Sequence, residues 1–198
     1  MRNLTSSTHR RTRALVLIAL FAVFMAVCSW IALPVGAVSI TLQTFAVYLA
    51  LDFLGGKKGL VAICLYLGLG LVGVPVFSHF NVGVGALLGP TGGYLIGWIA
   101  AGLVAWLFEA IGGGRLWARI TSALIGLTVI YATGTAWFMV ACAKTTAPVS
   151  LGTALLWCVA PFVLPDLVKI GGALWLGRRL RRIGMGFEKT FEEKQKKA

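Results

Sequence analysis

Apolar residues run along this chain in long blocks, each broken by a short stretch rich in glycine, proline or basic residues. About twenty consecutive apolar residues are what a helix needs to cross a bilayer core. On this pattern, spans are expected at about 14–33, 42–54, 59–76, 94–111 and 120–143, with a sixth ending near Arg182. The second block is short, so Ile40 and Thr41 are expected to extend its helix. Proline fits the first turn of a helix, where its missing N–H costs nothing, so the sixth helix is expected to start between Pro161 and Pro165. Before it, Lys144 to Leu164 reads as a polar turn, a short interfacial piece from Leu151 to Val159, and the two prolines.

Two breaks are long and carry no charge. Residues 34–41 form one; residues 77–93, with five glycines and a proline, form the other. Non-helical backbone at membrane depth is tolerated only when it is buried in protein or lines a cavity. The glycine-rich stretch is therefore expected to fold back into the bundle with its amides available to a ligand. It is no P-loop, because no Gly-Lys-Ser/Thr follows at the needed spacing.

Composition agrees with the pattern. Of 198 residues, 59% are hydrophobic and only 12% charged, about half the charged share of a soluble domain. Mean hydropathy is +0.89. The net charge of +12 is no sign of a nucleic-acid partner, since the basic residues sit in clusters between apolar blocks rather than over one face. Arg10, Arg11 and Arg13, then Lys57 and Lys58, then Arg115 and Arg119, then Arg178, Arg179, Arg181 and Arg182 fall in alternate breaks; the others hold only Lys144. Basic loops stay cytoplasmic. The expected architecture is thus an all-α integral membrane protein of six transmembrane helices with both termini cytoplasmic. It forms a single domain: a basic arm (1–13), the bundle (14–182) and a charged tail (183–198). The apolar run after Arg13 is too long for a signal peptide, so none is expected to be removed.

Few residues within the blocks can do chemistry. Asp166 and Lys169 stand three apart, on one helix face, near the start of the sixth helix. Ionisable groups inside a membrane are costly and usually mark a substrate path, and a carboxylate at a helix start also gains from the dipole. With the expected topology, this pair shares the outer side with both uncharged breaks, which together describe a pocket open to the exterior. Its candidate polar lining is Gln43, Thr44, Asn81, Thr91, Tyr94, Asp166 and Lys169, with Phe45, Phe77 and Trp98 as apolar walls. Such a set suits a ligand with adjacent donors and an acceptor, such as a cyclic urea or amide, and Lys169 can also neutralise a carboxylate.

Other charges read more simply. Asp52 is expected to be a solvated interfacial charge beside Lys57 and Lys58, and Glu109 a surface partner of Arg115 and Arg119. Ala22 and Ala26 make a small-xxx-small strip suited to close helix packing. The four cysteines lack metal-ligand spacing and read as packing residues; Cys142 and Cys158 both fall towards the outer face, which leaves a disulfide between them open. His79 is the only histidine beyond the N-terminal arm and reads as a loop residue at the outer surface.

Several of these stretches resemble a known family. Ile40-Thr-Leu-Gln43-Thr-Phe45-Ala46, Gly73-Val-Pro75-Val-Phe77, Gly89-Pro90-Thr91-Gly92-Gly93-Tyr94 and Pro165-Asp166-Leu-Val-Lys169 follow, in order and at family spacing, the pattern of BioY, the biotin-binding S component of energy-coupling factor (ECF) transporters. The resemblance covers residues 14–182 and departs from the family at Ser78–Asn81. It implies capture of biotin outside the cell with neither cofactor nor catalysis; the residues read as the binding set are Asp166, Lys169, Asn81, Gln43, Tyr94 and Thr91. It also implies delivery through a transmembrane T subunit and a pair of ATPases in the bacterial cell membrane, with the Ala22/Ala26 strip resembling the surface that docks the T subunit. The residues alone leave two alternatives: an S component for a different vitamin, and a small intramembrane enzyme. The latter needs a nucleophile–base pair or a metal cluster, and nothing of that kind accompanies His79.

Overall fold

Each apolar block forms a helix, because a backbone in lipid has no water to bond with and must satisfy its own N–H and C=O groups. A computed structural model describes residues 2–35, 38–145 and 148–197. In chain order it contains α1 (Arg2–Trp30), β1 (Ala32–Val35), β2 (Val38–Thr41), α2 (Gln43–Leu54), α3 (Gly56–Leu71), a 3-10 turn (Ser78–Phe80), α4 (Gly83–Leu88), α5 (Gly92–Gly112), α6 (Leu116–Thr145), α7 (Leu151–Cys158) and α8 (Ala160–Lys197). Four segments are long and apolar enough to cross a bilayer: Arg11–Trp30, Gly92–Gly112, Leu116–Lys144 and Leu151–Ile183. α2 and α3, at 12 and 16 residues, are shorter.

Several boundaries differ from those expected. The basic N-terminal arm is helical from Arg2, and α8 continues past Arg182 to Lys197, where Glu, Lys and Gln are good helix formers. Ile40 and Thr41 do not extend α2. They belong to β2, which pairs antiparallel with β1 from Ala32↔Thr41 to Val35↔Val38. Val38, Ile40 and Thr41 are β-branched and favour an extended backbone, and the pairing satisfies groups that a bare loop would leave open. The 36–37 part of this break lies outside the described residues.

Close approach of α5 and α6 depends on glycine. A Cβ on Gly97 would lie 2.6 Å from Thr133 Oγ1 and 3.0 Å from Ile130 Cα, so no larger residue fits this crossing. α1 packs on α2 and α3. Ala22 and Ala26 are 1% and 5% exposed, buried with Met25 and Phe21 in the core. In this structure the small-residue strip therefore packs within the bundle. The exposed side of α1 instead presents Leu15, Val16, Leu20, Val23 and Val27. All four cysteines are free.

At the end of the bundle away from the hairpin, two carboxylates have roles different from those expected. Asp52 is 7% exposed. Arg119 Nη1 donates to its Oδ1 at 3.3 Å, and Arg181 Nη2 lies 2.8 Å from Oδ2 as a charge contact rather than an aligned hydrogen bond. Arg181 Nη1 also donates to the Asp52 carbonyl. Asp52 thus ties α2 to α6 and α8 instead of sitting in solvent beside Lys57. Glu109 accepts a 2.6 Å hydrogen bond from Gly56 N, satisfying one of the orphan N–H groups that begin α3; its expected arginine partners are not what fixes it.

Removing one member of a buried charged group strands the rest, at a cost of about 3 kcal/mol or more. Asp52→Asn is expected to lower the thermal unfolding temperature of the detergent-purified protein clearly, whereas Lys57→Gln should leave it nearly unchanged. Equal melting of the two variants would contradict the tie.

Candidate functional site

The breaks between the apolar blocks converge on a cavity of ≈ 680 Å³, within the range of small-molecule sites. β2, the start of α2, the 77–82 segment, α4, α5, α6 and the α7–α8 junction all contribute to its wall. Another cavity at the opposite end, against Asp52, Glu109 and Arg119, measures only ≈ 40 Å³ and has room for a few waters at most.

Every polar residue expected to line the pocket does so: Gln43, Thr44, Asn81, Thr91, Tyr94, Asp166 and Lys169. Of the expected walls, Phe77 and Trp98 are present. Phe45 is not; its ring turns towards Phe24, with centroids 6.4 Å apart. Tyr131, His79, Ser39, Thr41, Cys158 and Phe162 line the cavity as well. Of these, Tyr131 carried a readable signal, since a tyrosine hydroxyl within an apolar span needs a buried partner.

That partner is Asp166. Tyr131 Oη donates to Asp166 Oδ2 at 2.9 Å and Lys169 Nζ donates to Oδ1 at 2.9 Å. α8 begins at Ala160, earlier than expected, so Pro165 lies inside it. Val159, at φ −125° and ψ −55°, makes the break from α7 that allows this start. Asp166 is consequently beyond the first turn, where the dipole fades, and its two named partners hold it in place. Asp166 as a whole is 5% exposed. An acceptor and a donor fixed side by side match the N–H/C=O edge of an amide or urea.

Other side chains are positioned by bonds between elements. Gln43 Nε2 donates to Tyr66 Oη at 2.5 Å, and Tyr66 Oη donates to the Val76 carbonyl at 3.0 Å. Ser29 Oγ donates to the same carbonyl at 2.6 Å, which fixes the chain just before it enters the cavity wall. Tyr94 Oη donates to the Cys158 carbonyl at 3.2 Å, and Trp137 Nε1 to the Gly89 carbonyl at 2.9 Å. Thr91 precedes α5 without capping it through its side chain. Asn81 is exposed at the rim.

His79 shares that rim. Its backbone (φ 57°) and that of Phe80 (φ 59°) are both left-handed, a strained state for residues with a Cβ. Phe80 packs on Trp30, with centroids 5.2 Å apart, and Trp30 Nε1 donates to the Pro75 carbonyl at 3.0 Å. His79 Nε2 and Ser39 Oγ are 2.9 Å apart. The turn thus leans on both α1 and β2, and His79 lines the cavity where a plain surface position was expected.

Known proteins resemble this chain in sequence and in fold. The sequence pattern that defines the BioY family matches residues 1–185. A probable biotin transporter BioY of Pyrococcus horikoshii is 37% identical over 86% of this chain and 98% of its own length. The biotin transporter BioY of Thermotoga maritima is 35% identical over 86% and 97%. A crystal structure of the S-component for biotin from an ECF-type ABC transporter superposes with a TM-score of 0.77 at 26% identity, covering 88% of this chain and 93% of that one.

Tyr131→Phe keeps the ring and removes the hydroxyl, leaving Asp166 Oδ2 without its donor. Hydrogen bonds to buried charged groups contribute about 2 kcal/mol. A fall of that size in the unfolding free energy of the ligand-free protein is expected; an unchanged denaturation midpoint would show that Asp166 does not depend on α6.

Proposed function

The chain belongs to the BioY family, and on that premise we propose that it is the S component that captures biotin from outside the cell for uptake by an ECF-type, ATP-driven transporter. The observation that carries this reading is the Asp166–Lys169 pair, fixed by Tyr131 inside a large cavity with aromatic walls. Biotin joins a neutral cyclic urea to an aliphatic chain ending in a carboxylate. In this reading the urea edge meets Asp166 and Lys169, N–H to carboxylate and C=O to ammonium. Phe77 and Trp98, both buried, cover the apolar ring faces, and Gln43, Thr91, Tyr94 and Asn81 complete the binding set.

The same reading sets the protein in the cell membrane as one multi-pass domain. Six helices cross, α2 and α3 being completed by the hairpin and by packing on longer neighbours, and both termini lie in the cytoplasm with the basic clusters. The cavity then opens outwards. The sequence contains no nucleotide-binding motif, so energy enters through partners: a transmembrane T subunit and two ATPases. No step of this role makes or breaks a bond in the ligand. That separates it from an intramembrane enzyme, and biotin recovered unchanged from the purified protein is the corresponding check.

Truncating one member of a buried charge pair at a ligand site costs several kcal/mol, partly because the other is left unpaired. Asp166→Asn and Lys169→Ala are each expected to weaken equilibrium binding of labelled biotin to the detergent-purified protein by about a hundred-fold or more. Near-normal affinity in both would refute the assigned site.

A further inference from the structure

Biotin is an anion at neutral pH, and capturing it changes the charge of the cavity. Asp166 and Lys169 neutralise each other at 2.9 Å. The ligand carboxylate therefore arrives without a counter-charge among them, and His79 is the one other residue of the described lining that can become a cation. We propose that His79, as an imidazolium, meets the carboxylate of the captured vitamin and so couples its binding to uptake of a proton. This rests on biotin being the ligand and on its urea lying against Asp166 and Lys169.

Position is the first support. Asp166, Gln43, Phe77 and Trp98 are buried, whereas His79 is exposed at the rim. A ligand with its urea on the buried pair sends its chain towards the rim. The second is the backbone: two successive left-handed residues without glycine are strained, and such strain concentrates where a side chain must be aimed. Third, the ring is held in a way that tolerates protonation. Ser39 Oγ can donate to a bare Nε2 or accept from Nε2–H, so the contact survives the change of charge. It uses Nε2, leaving Nδ1–H of the imidazolium for the ligand.

Among the described residues of the lining, no other cation competes for this role. The other titratable or charged groups of the cavity wall are Asp166, Lys169, Tyr94, Tyr131 and Cys158. β2 meets the imidazole through Ser39, and α1 offers Trp30 to the adjacent Phe80. The sign follows from linkage. The bound anion stabilises the imidazolium, so the complex holds its proton more tightly than the free protein. Affinity is then greatest with the imidazole protonated and falls as pH rises and that proton is lost. Exposure at the rim keeps the effect moderate, on the order of five-fold, as for a pair a few ångströms apart near water.

The test measures affinities of the full-length, detergent-purified protein for biotin and for neutral biotinamide between pH 5.5 and 8.5, where the biotin carboxylate remains ionised. For the wild type, biotin binding should tighten about five-fold towards pH 5.5 while biotinamide binding stays level. In His79→Asn, chosen because asparagine tolerates left-handed backbone, both ligands should show no pH dependence, and biotin should lose the acid-side gain. A level wild-type profile, an equal slope with biotinamide, or a slope that persists in His79→Asn overturns the proposal. The wild-type comparison of the two ligands decides the charge requirement even if substitution disturbs the turn. Failure of the wild type to bind biotin at any pH refutes the vitamin assignment itself.

Discussion

Within residues 11–183 there are three carboxylates, and each is committed to another part of the bundle. Asp52 on α2 engages Arg119 on α6 and Arg181 on α8. Glu109 on α5 closes the first turn of α3. Asp166 on α8 takes a hydroxyl from α6 and the ammonium of Lys169. The constraint behind this is the cost of an unpaired charge in a medium without water. Helix packing in lipid gains little from apolar contact alone, since the tails are as apolar as leucine. A few polar ties therefore fix the helix order that glycine contacts such as Gly97 against Ile130 permit.

These ties give the two ends different characters. Around Asp52, charged groups close the bundle and leave only ≈ 40 Å³ of space. Around Asp166, a hairpin, a strained turn and α4 enclose ≈ 680 Å³. Irregular backbone would be intolerable against lipid, but here its groups are satisfied by pairing between β1 and β2, by Trp30 and by Trp137.

Much of this was legible in the sequence, and the misreadings share a cause. Apolar blocks located the main helices, because the demand for about twenty apolar residues is local. The polar lining was legible too: Gln43, Asn81, Thr91, Tyr94, Asp166 and Lys169 are polar groups set in or beside apolar runs, and such groups need somewhere to face. Asp52 was misread because Lys57 and Lys58 are near in sequence, whereas its partners are 67 and 129 residues away. Ala22 and Ala26 announced close packing, but spacing on one helix does not say which helix approaches. Phe45 was expected among the walls, but two residues along the helix from Gln43 its side chain leaves a different face and meets Phe24. Ile40 and Thr41 were assigned to a helix because the second block is short, while their β-branching suited the hairpin.

The two charged ties in the bundle core are not equivalent, and the contrast bears on function. Asp52 joins three helices, so its charge is explained by architecture. Lys169 pairs with Asp166 three residues away on the same helix, so that pair in itself ties no two helices together; at this end of the bundle Asp166 reaches α6 through Tyr131. A buried ion pair of that kind is a poor stabiliser, and an apolar pair of similar volume would commonly serve the fold as well or better. What it does supply is an acceptor and a donor held at fixed spacing before a ligand arrives, so that little ordering remains to be done on binding. Under the proposed role, recognition of a solute with the complementary edge accounts for Lys169 better than stability of the fold does.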